Sequence, residues 1–118
     1  MQKFINVSSH PSAKWNPEQT AAALALAADG IQDVQFPNVP PTATEADIAT
    51  LADSIAAQIP DNAAAMVSGE FTLTYAIIRR LRARGLTVVA ATTDRVKTEV
   101  SPGKFEMVFT FVKFRAFE

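Results

Sequence analysis

Short apolar runs recur along the chain at Lys3 to Val7, Ile31 to Phe36, Ala63 to Val67 and Leu86 to Ala91, and the segments between them are patterned and capped as helices. That alternation constrains the fold more than any other feature. Strands that alternate with helices are joined by right-handed crossovers, which make a parallel sheet with helices on both faces. The 118 residues are enough for one such domain, spanning 1–118, and leave no room for a second. The expected fold class is therefore a three-layer α/β domain with a mostly parallel sheet.

The helices announce themselves at their ends. Asn16-Pro17-Glu18-Gln19 offers a capping side chain followed by a proline in the first helical position, and the alanine-rich stretch after it runs to about Ala28. Thr44-Glu45-Ala46-Asp47 reads as a capping box with Asp in the Glu position. Ile48, Leu51, Ala52, Ile55, Ala56 and Ile59 then fall on one helical stripe, which Pro60 stops. A third helix follows Ser68-Gly69-Glu70, from Phe71 to Arg84, with Gly85 beyond its end. The arginines crowding its last turns (Arg79, Arg80, Arg82 and Arg84) are explained by the helix dipole.

After Ala91 the period changes. Thr92-Thr93-Asp94-Arg95 reads as a polar segment following the fourth strand. Arg95 to Val100 then alternates charged and apolar residues, Ser101-Pro102-Gly103-Lys104 makes a turn, and Phe105, Met107, Phe109 and Phe111 return at period two. A C-terminal antiparallel hairpin is expected. Val108, Val112 and Phe114 make its second face apolar as well, so one face covers the core and the other meets a partner, first of all a second copy of the chain.

Composition removes several function classes. A net charge of -1 gives no global field to gather long nucleic acid. With no cysteine and one histidine, a thiolate zinc site, a cysteine nucleophile and a multi-histidine metal centre are all excluded, and neither a metal nor a cofactor is expected. The N-terminus reads as a strand, not a leader, and no apolar stretch reaches the ~18 residues of a membrane span, so a cytoplasmic protein is expected.

In parallel α/β sheets, ligands bind beyond the carboxyl ends of the strands. Three polar segments fall there: Ser8-Ser9-His10 with Lys14 and Trp15 nearby, Ser68-Gly69-Glu70-Phe71-Thr72, and Thr92-Thr93-Asp94-Arg95. Gly69 at a helix start allows a close backbone approach, and free N–H groups there suit an anion. Ser8, Ser9, Lys14, Ser68, Gly69, Thr72, Thr92 and Thr93 are the candidate ligand-binding residues. His10 and Glu70 are candidates for proton transfer, and Arg95 for gripping phosphate. Trp15 either stacks on a base or staples the helix start.

Taken together, Asn6-Val7-Ser8-Ser9-His10-Pro11, Ser68-Gly69-Glu70-Phe71-Thr72-Leu73-Thr74, and Ala90 to Val96 with Phe111-Val112-Lys113-Phe114-Arg115 resemble the small stand-alone CRISPR-associated proteins related to the CARF domain, the CRISPR-associated Rossmann fold. The resemblance implies a Rossmann-like homodimer that binds a cyclic oligoadenylate messenger. It implies either metal-independent ring cleavage, with a ligand 2′-hydroxyl as nucleophile, or sequestration of the intact ring. His10, Glu70 and Arg95 would then be the catalytic set. A scaffold without a small ligand, and a hydrolase with Glu70 and Asp94 as metal ligands, are the alternatives.

Overall fold

The computed structural model describes residues 2–118. Its strands are β1 (Phe4–Ser8), β2 (Ile31–Gln35), β3 (Ala64–Val67), β4 (Thr87–Ser101) and β5 (Lys104–Ala116). Its α-helices are α1 (Pro17–Leu26), α2 (Glu45–Ala56) and α3 (Phe71–Ala83). The strands form one mixed sheet in the order β2-β1-β3-β4-β5, in which β1 to β4 are parallel and β5 returns antiparallel to β4. The expectation of a mostly parallel α/β sheet closed by a C-terminal antiparallel pair describes this arrangement.

Alternation along the strands sorts the core to two faces. Ile5, Val7, Val34, Ala65, Val67 and Val88 pack with Ala52, Ile55 and Ala56 of α2 and Leu73, Ile77 and Leu81 of α3. On the opposite face Phe4, Ala64, Met66 and Val89 meet Ala23 and Ala27, with Trp15 and Phe114 closing the edge. Small side chains on α1 let that helix lie close to the sheet, since alanine fills little space between them. Phe4, Ile5, Leu73, Ile77 and Leu81 are wholly enclosed, each contributing about 1.5–3 kcal/mol by removal from water.

The helix starts follow their sequence signals. Asn16 Oδ1 accepts from Gln19 N at 2.9 Å. In α2 both halves of the box form: Asp47 N donates to Thr44 Oγ1 at 3.1 Å, and Thr44 N donates to Asp47 Oδ2 at 2.9 Å. Helix α1 stops at Leu26, short of the expected Ala28, because Ala27 turns to extended backbone. The α3 arginines do more than complement a dipole. Arg80 pairs with Asp53 at 2.7 Å and Arg84 with Asp61 at 2.8 Å, while Arg84 also donates to the Ala56 carbonyl at the end of α2 and to the Ile59 carbonyl in the turn after it.

One expectation is corrected. The fourth strand does not end at Ala91, and no loop separates it from the hairpin; β4 runs unbroken through Thr92, Thr93, Asp94 and Arg95 to Ser101. Antiparallel pairing with β5 satisfies its backbone beyond the point where β3 ends. The pairing carries a bulge where Val112 lies unmatched between the Thr92–Lys113 and Thr93–Phe111 pairs. Beyond the bulge the ribbon leaves the body of the domain. The radius of gyration is 15.9 Å, against roughly 13.5 Å for a compact domain of this length. No helix among the described residues is long and apolar enough to cross a membrane.

Candidate functional site

β1, flanked by β2 and β3, is the strand on which the site is built. Its side chains alternate, and on the α1 side Phe4 is followed by Asn6 and Ser8, both buried although polar. Buried polar groups need partners, and these are used to fold back the loop after the strand. Ser8 Oγ donates to Asn6 Oδ1 at 2.7 Å and accepts from His10 N at 3.2 Å. Asn6 Nδ2 donates to the His10 carbonyl at 2.8 Å and to Asp33 Oδ1 at 3.1 Å. Asp33, next door on β2, also accepts from Ser12 N. Burial pushes the Asp33 carboxyl up, but the hydrogen bonds from Ser12 and Asn6 outweigh it and hold the group below its ordinary value.

That clamp sets one wall of a cleft of about 690 Å³ at the carboxyl ends of β1 and β3. It lies where the chain order departs from β1 in opposite directions, the crevice in which α/β sheets take ligands. Ser8, His10, Lys14, Trp15 and Gln19 line one side, with Met66 on β3, Ser68 just after it, and Thr93 and Phe109 from the hairpin base opposite. The cleft thus holds an ammonium, an imidazole, several hydroxyls, an amide and two aromatic rings. The indole of Trp15 is fixed edge-on to Phe4 at 6.1 Å and leans on Phe114 at 6.2 Å, so it both packs the helix start and faces the cleft.

Of the sequence-derived candidates, the cleft gathers Ser8, His10, Lys14, Ser68 and Thr93. Ser9 is exposed outside its lining. Thr92 is taken up by the bulge, its Oγ1 donating to the Lys113 carbonyl at 2.9 Å. Arg95 stacks over the Phe109 ring at 5.5 Å, at the margin of the cleft and not among its lining residues.

The start of α3 differs most from its expected role as an open anion site. Glu70 is the N-cap, and its carboxylate accepts from Thr72 N and Leu73 N, both at 2.9 Å. The Thr72 hydroxyl donates to the same carboxylate at 2.7 Å. The N–H groups that would have met a phosphate already hold an anion, and they keep the Glu70 carboxyl below its ordinary value. Gly69 has its own packing reason. A Cβ there would stand 2.5 Å from the Phe36 ring, so the close approach it permits is to the core, and its φ is not positive.

Asn6, Asp33, Gln19 and Phe109 were not singled out from the sequence as site residues. Asn6 carried a signal: it is the one polar residue inside the Phe4-Ile5-Asn6-Val7 run of an otherwise apolar strand.

The fold and cleft define a class, an α/β protein with a mixed five-stranded sheet and a ligand-sized cleft at its parallel strand ends. The chain matches the model of the family described as Uncharacterized protein MJ1673 family over residues 2–115, and it belongs to that family. No curated protein and no solved structure gives a significant match.

Proposed function

We propose that the protein is a homodimer with a Rossmann-like, CARF-related core that binds a cyclic oligoadenylate at this cleft and cuts it without a metal. The observation that carries the reading is the presence of Lys14, His10 and Trp15 in one cleft beyond the strand ends. An ammonium suits a phosphate, an indole face suits an adenine, and an imidazole suits proton transfer at the scissile linkage. The nucleophile is the ligand's own 2′-hydroxyl. The oxygen–phosphorus bond it forms closes a 2′,3′-cyclic phosphate as the bond to the leaving 5′-oxygen breaks. His10 takes the 2′-hydroxyl proton or supplies the one the leaving oxygen needs, while Ser68, Thr93 and Lys14 hold the phosphate.

A second reading, binding without cleavage, is favoured by one observation. Of His10, Glu70 and Arg95, only His10 lines the cleft. One experiment separates the two. Labelled cyclic tetra-adenylate is incubated with the protein in chelator, and the products are resolved after denaturation. Linear fragments establish the nuclease. Intact ring that migrates with the native protein establishes a sink. Intact ring that does not bind removes both readings for this ligand.

A further inference from the structure

β5 is an edge strand of 13 residues, paired only on its β4 side. From Met107 to Val112 it reads Met-Val-Phe-Thr-Phe-Val, with no charge and no proline. An edge of this length and hydrophobicity is a template for pairing with another chain, and proteins either block it or use it. Here it is unblocked. Phe105, Met107 and Phe109 are 54%, 50% and 59% exposed on the α1 side of the ribbon, and Val96 and Val108 are 47% and 41% exposed on the other.

We infer that this edge is an interface between two copies of the chain, β5 pairing antiparallel with its counterpart about a two-fold axis at Phe109, so that the two sheets become one. The charges flanking the uncharged window are what select a second copy. Glu106 stands at one end and Lys113 at the other, both exposed, and among the described residues neither has an ion pair within the chain. A two-fold axis exchanges the ends of a strand, so an edge with an acid at one end and a base at the other is complementary to itself.

The register follows from the bulge. With Phe109 opposite the partner's Phe109, Val108 meets the partner's Thr110 and Met107 the partner's Phe111. Beyond that pair the unmatched Val112 advances the register by one residue, which sets Glu106 opposite the partner's Lys113. Residues opposite one another share a face, and Glu106 and Lys113 do so because of the bulge. Further out Lys104 would oppose the partner's Arg115, a like-charge pair that ends the ladder.

The aromatic face supplies a second fit. A hollow of about 320 Å³ lies beside β5, lined by Ala22, Ala25 and Leu26 of α1 with Phe111 and Phe114. Met107 of the opposite copy, paired with Phe111 on that same face, arrives at its mouth. The interface deepens the homodimer of the proposed function but does not depend on a ligand. Phe109 lines the cleft, so in this dimer the two clefts open to the same side of the joined sheet and meet at the axis.

The test is charge exchange, read by sedimentation without ligand. The wild-type chain is expected to be dimeric at micromolar concentration. Glu106→Lys and Lys113→Glu each set like charges together twice per dimer, so each alone is expected to raise the dimer dissociation constant about tenfold or more at low salt. An equimolar mixture of the two variants places opposite charges at both contacts and is expected to restore the wild-type constant. Circular dichroism of each variant checks that the fold is kept. A monomeric wild-type chain overturns the inference. So does a dimer that neither variant weakens, or one that mixing fails to restore, as it would if the exposed Phe71 and Tyr75 of α3 made the contact instead. Ring binding or cleavage is read separately, so failure of the ligand reading leaves this result standing.

Discussion

Lys14 and Arg95 are both cations near the strand ends, and their surroundings separate them. Lys14 lines the cleft itself, on a short 3-10 turn that the Asn6–Ser8–Asp33 clamp holds in place. Arg95 lies over the ring of Phe109 and reaches the cleft only through that ring. A charge-assisted contact to phosphate contributes about 1.5–3 kcal/mol, and an exposed cation–π contact about 0.5–1 kcal/mol. Lys14→Ala is therefore expected to weaken binding of cyclic tetra-adenylate by about tenfold or more, and Arg95→Ala by no more than about fivefold, measured by calorimetry. Equal losses would move the ligand outward along the hairpin. His10→Ala tests the other function of the cleft. It is expected to leave affinity within a few-fold while lowering the cleavage rate by about 100-fold or more, and an unchanged rate would remove the imidazole from the chemistry.

Among the elements, α3 shows how far local sequence signals reach. The start of a helix after Ser68-Gly69 is legible, but the capping group is not, because Glu is an uncommon cap and serine or glycine ahead of it is the ordinary choice. The capping carboxyl of Glu70 is held below its ordinary value of 4.5, and that of Asp33 in the loop clamp below 3.8. For a carboxyl depressed in the folded state, the stabilisation is complete above the unfolded value and is lost as pH falls through the lower folded one. The melting temperature should thus hold steady from neutral pH down to about pH 5 and then decline. Glu70→Gln should melt a few degrees lower at neutral pH, and the gap should close as pH falls below 4.5, where the wild-type carboxyl protonates. A gap independent of pH would mean that the cap charge contributes nothing. The rest of the element pattern was readable for the same local reason. Thr44 and Asp47 form the box they spell, and Ile55 and Ala56 bury on the stripe they mark. What escaped was non-local. Thr92 to Arg95 reads as a polar segment beyond the end of the fourth strand, yet β5 supplies the partners that make it strand. The cleft was legible as far as strand ends are, in Ser8, His10, Ser68 and Thr93, whereas Phe109 reaches it only through a pairing that no short stretch of sequence encodes.

For the whole molecule, the body and the ribbon have different sources of stability. Every buried apolar residue except Phe111 lies at or before Val89, and neither core cluster includes a residue between Ala90 and Thr110. The body therefore folds on contacts among β1 to β4, the inner end of β5 and the three helices, while the outer ribbon adds backbone pairing and exposed side chains. A free two-stranded ribbon is marginal in water on its own, so its order reports on whatever covers it. Replacing residues 96–108 by Asn-Gly joins Arg95 to Phe109, which are already partners across the ribbon, through a tight turn suited to a hairpin. The shortened chain should keep its circular dichroism and a cooperative thermal transition, and its radius of gyration in solution should fall towards that of a compact domain. It should also be monomeric, because Glu106 is gone together with Met107 and Val108, a third of the uncharged edge. Phe111 remains to pack against Phe114, at 4.9 Å between ring centroids, and to seal the α1 face. If the shortened chain instead failed to fold, the ribbon would be part of the cooperative core, and the intact monomer would depend on its partner for stability as well as for assembly.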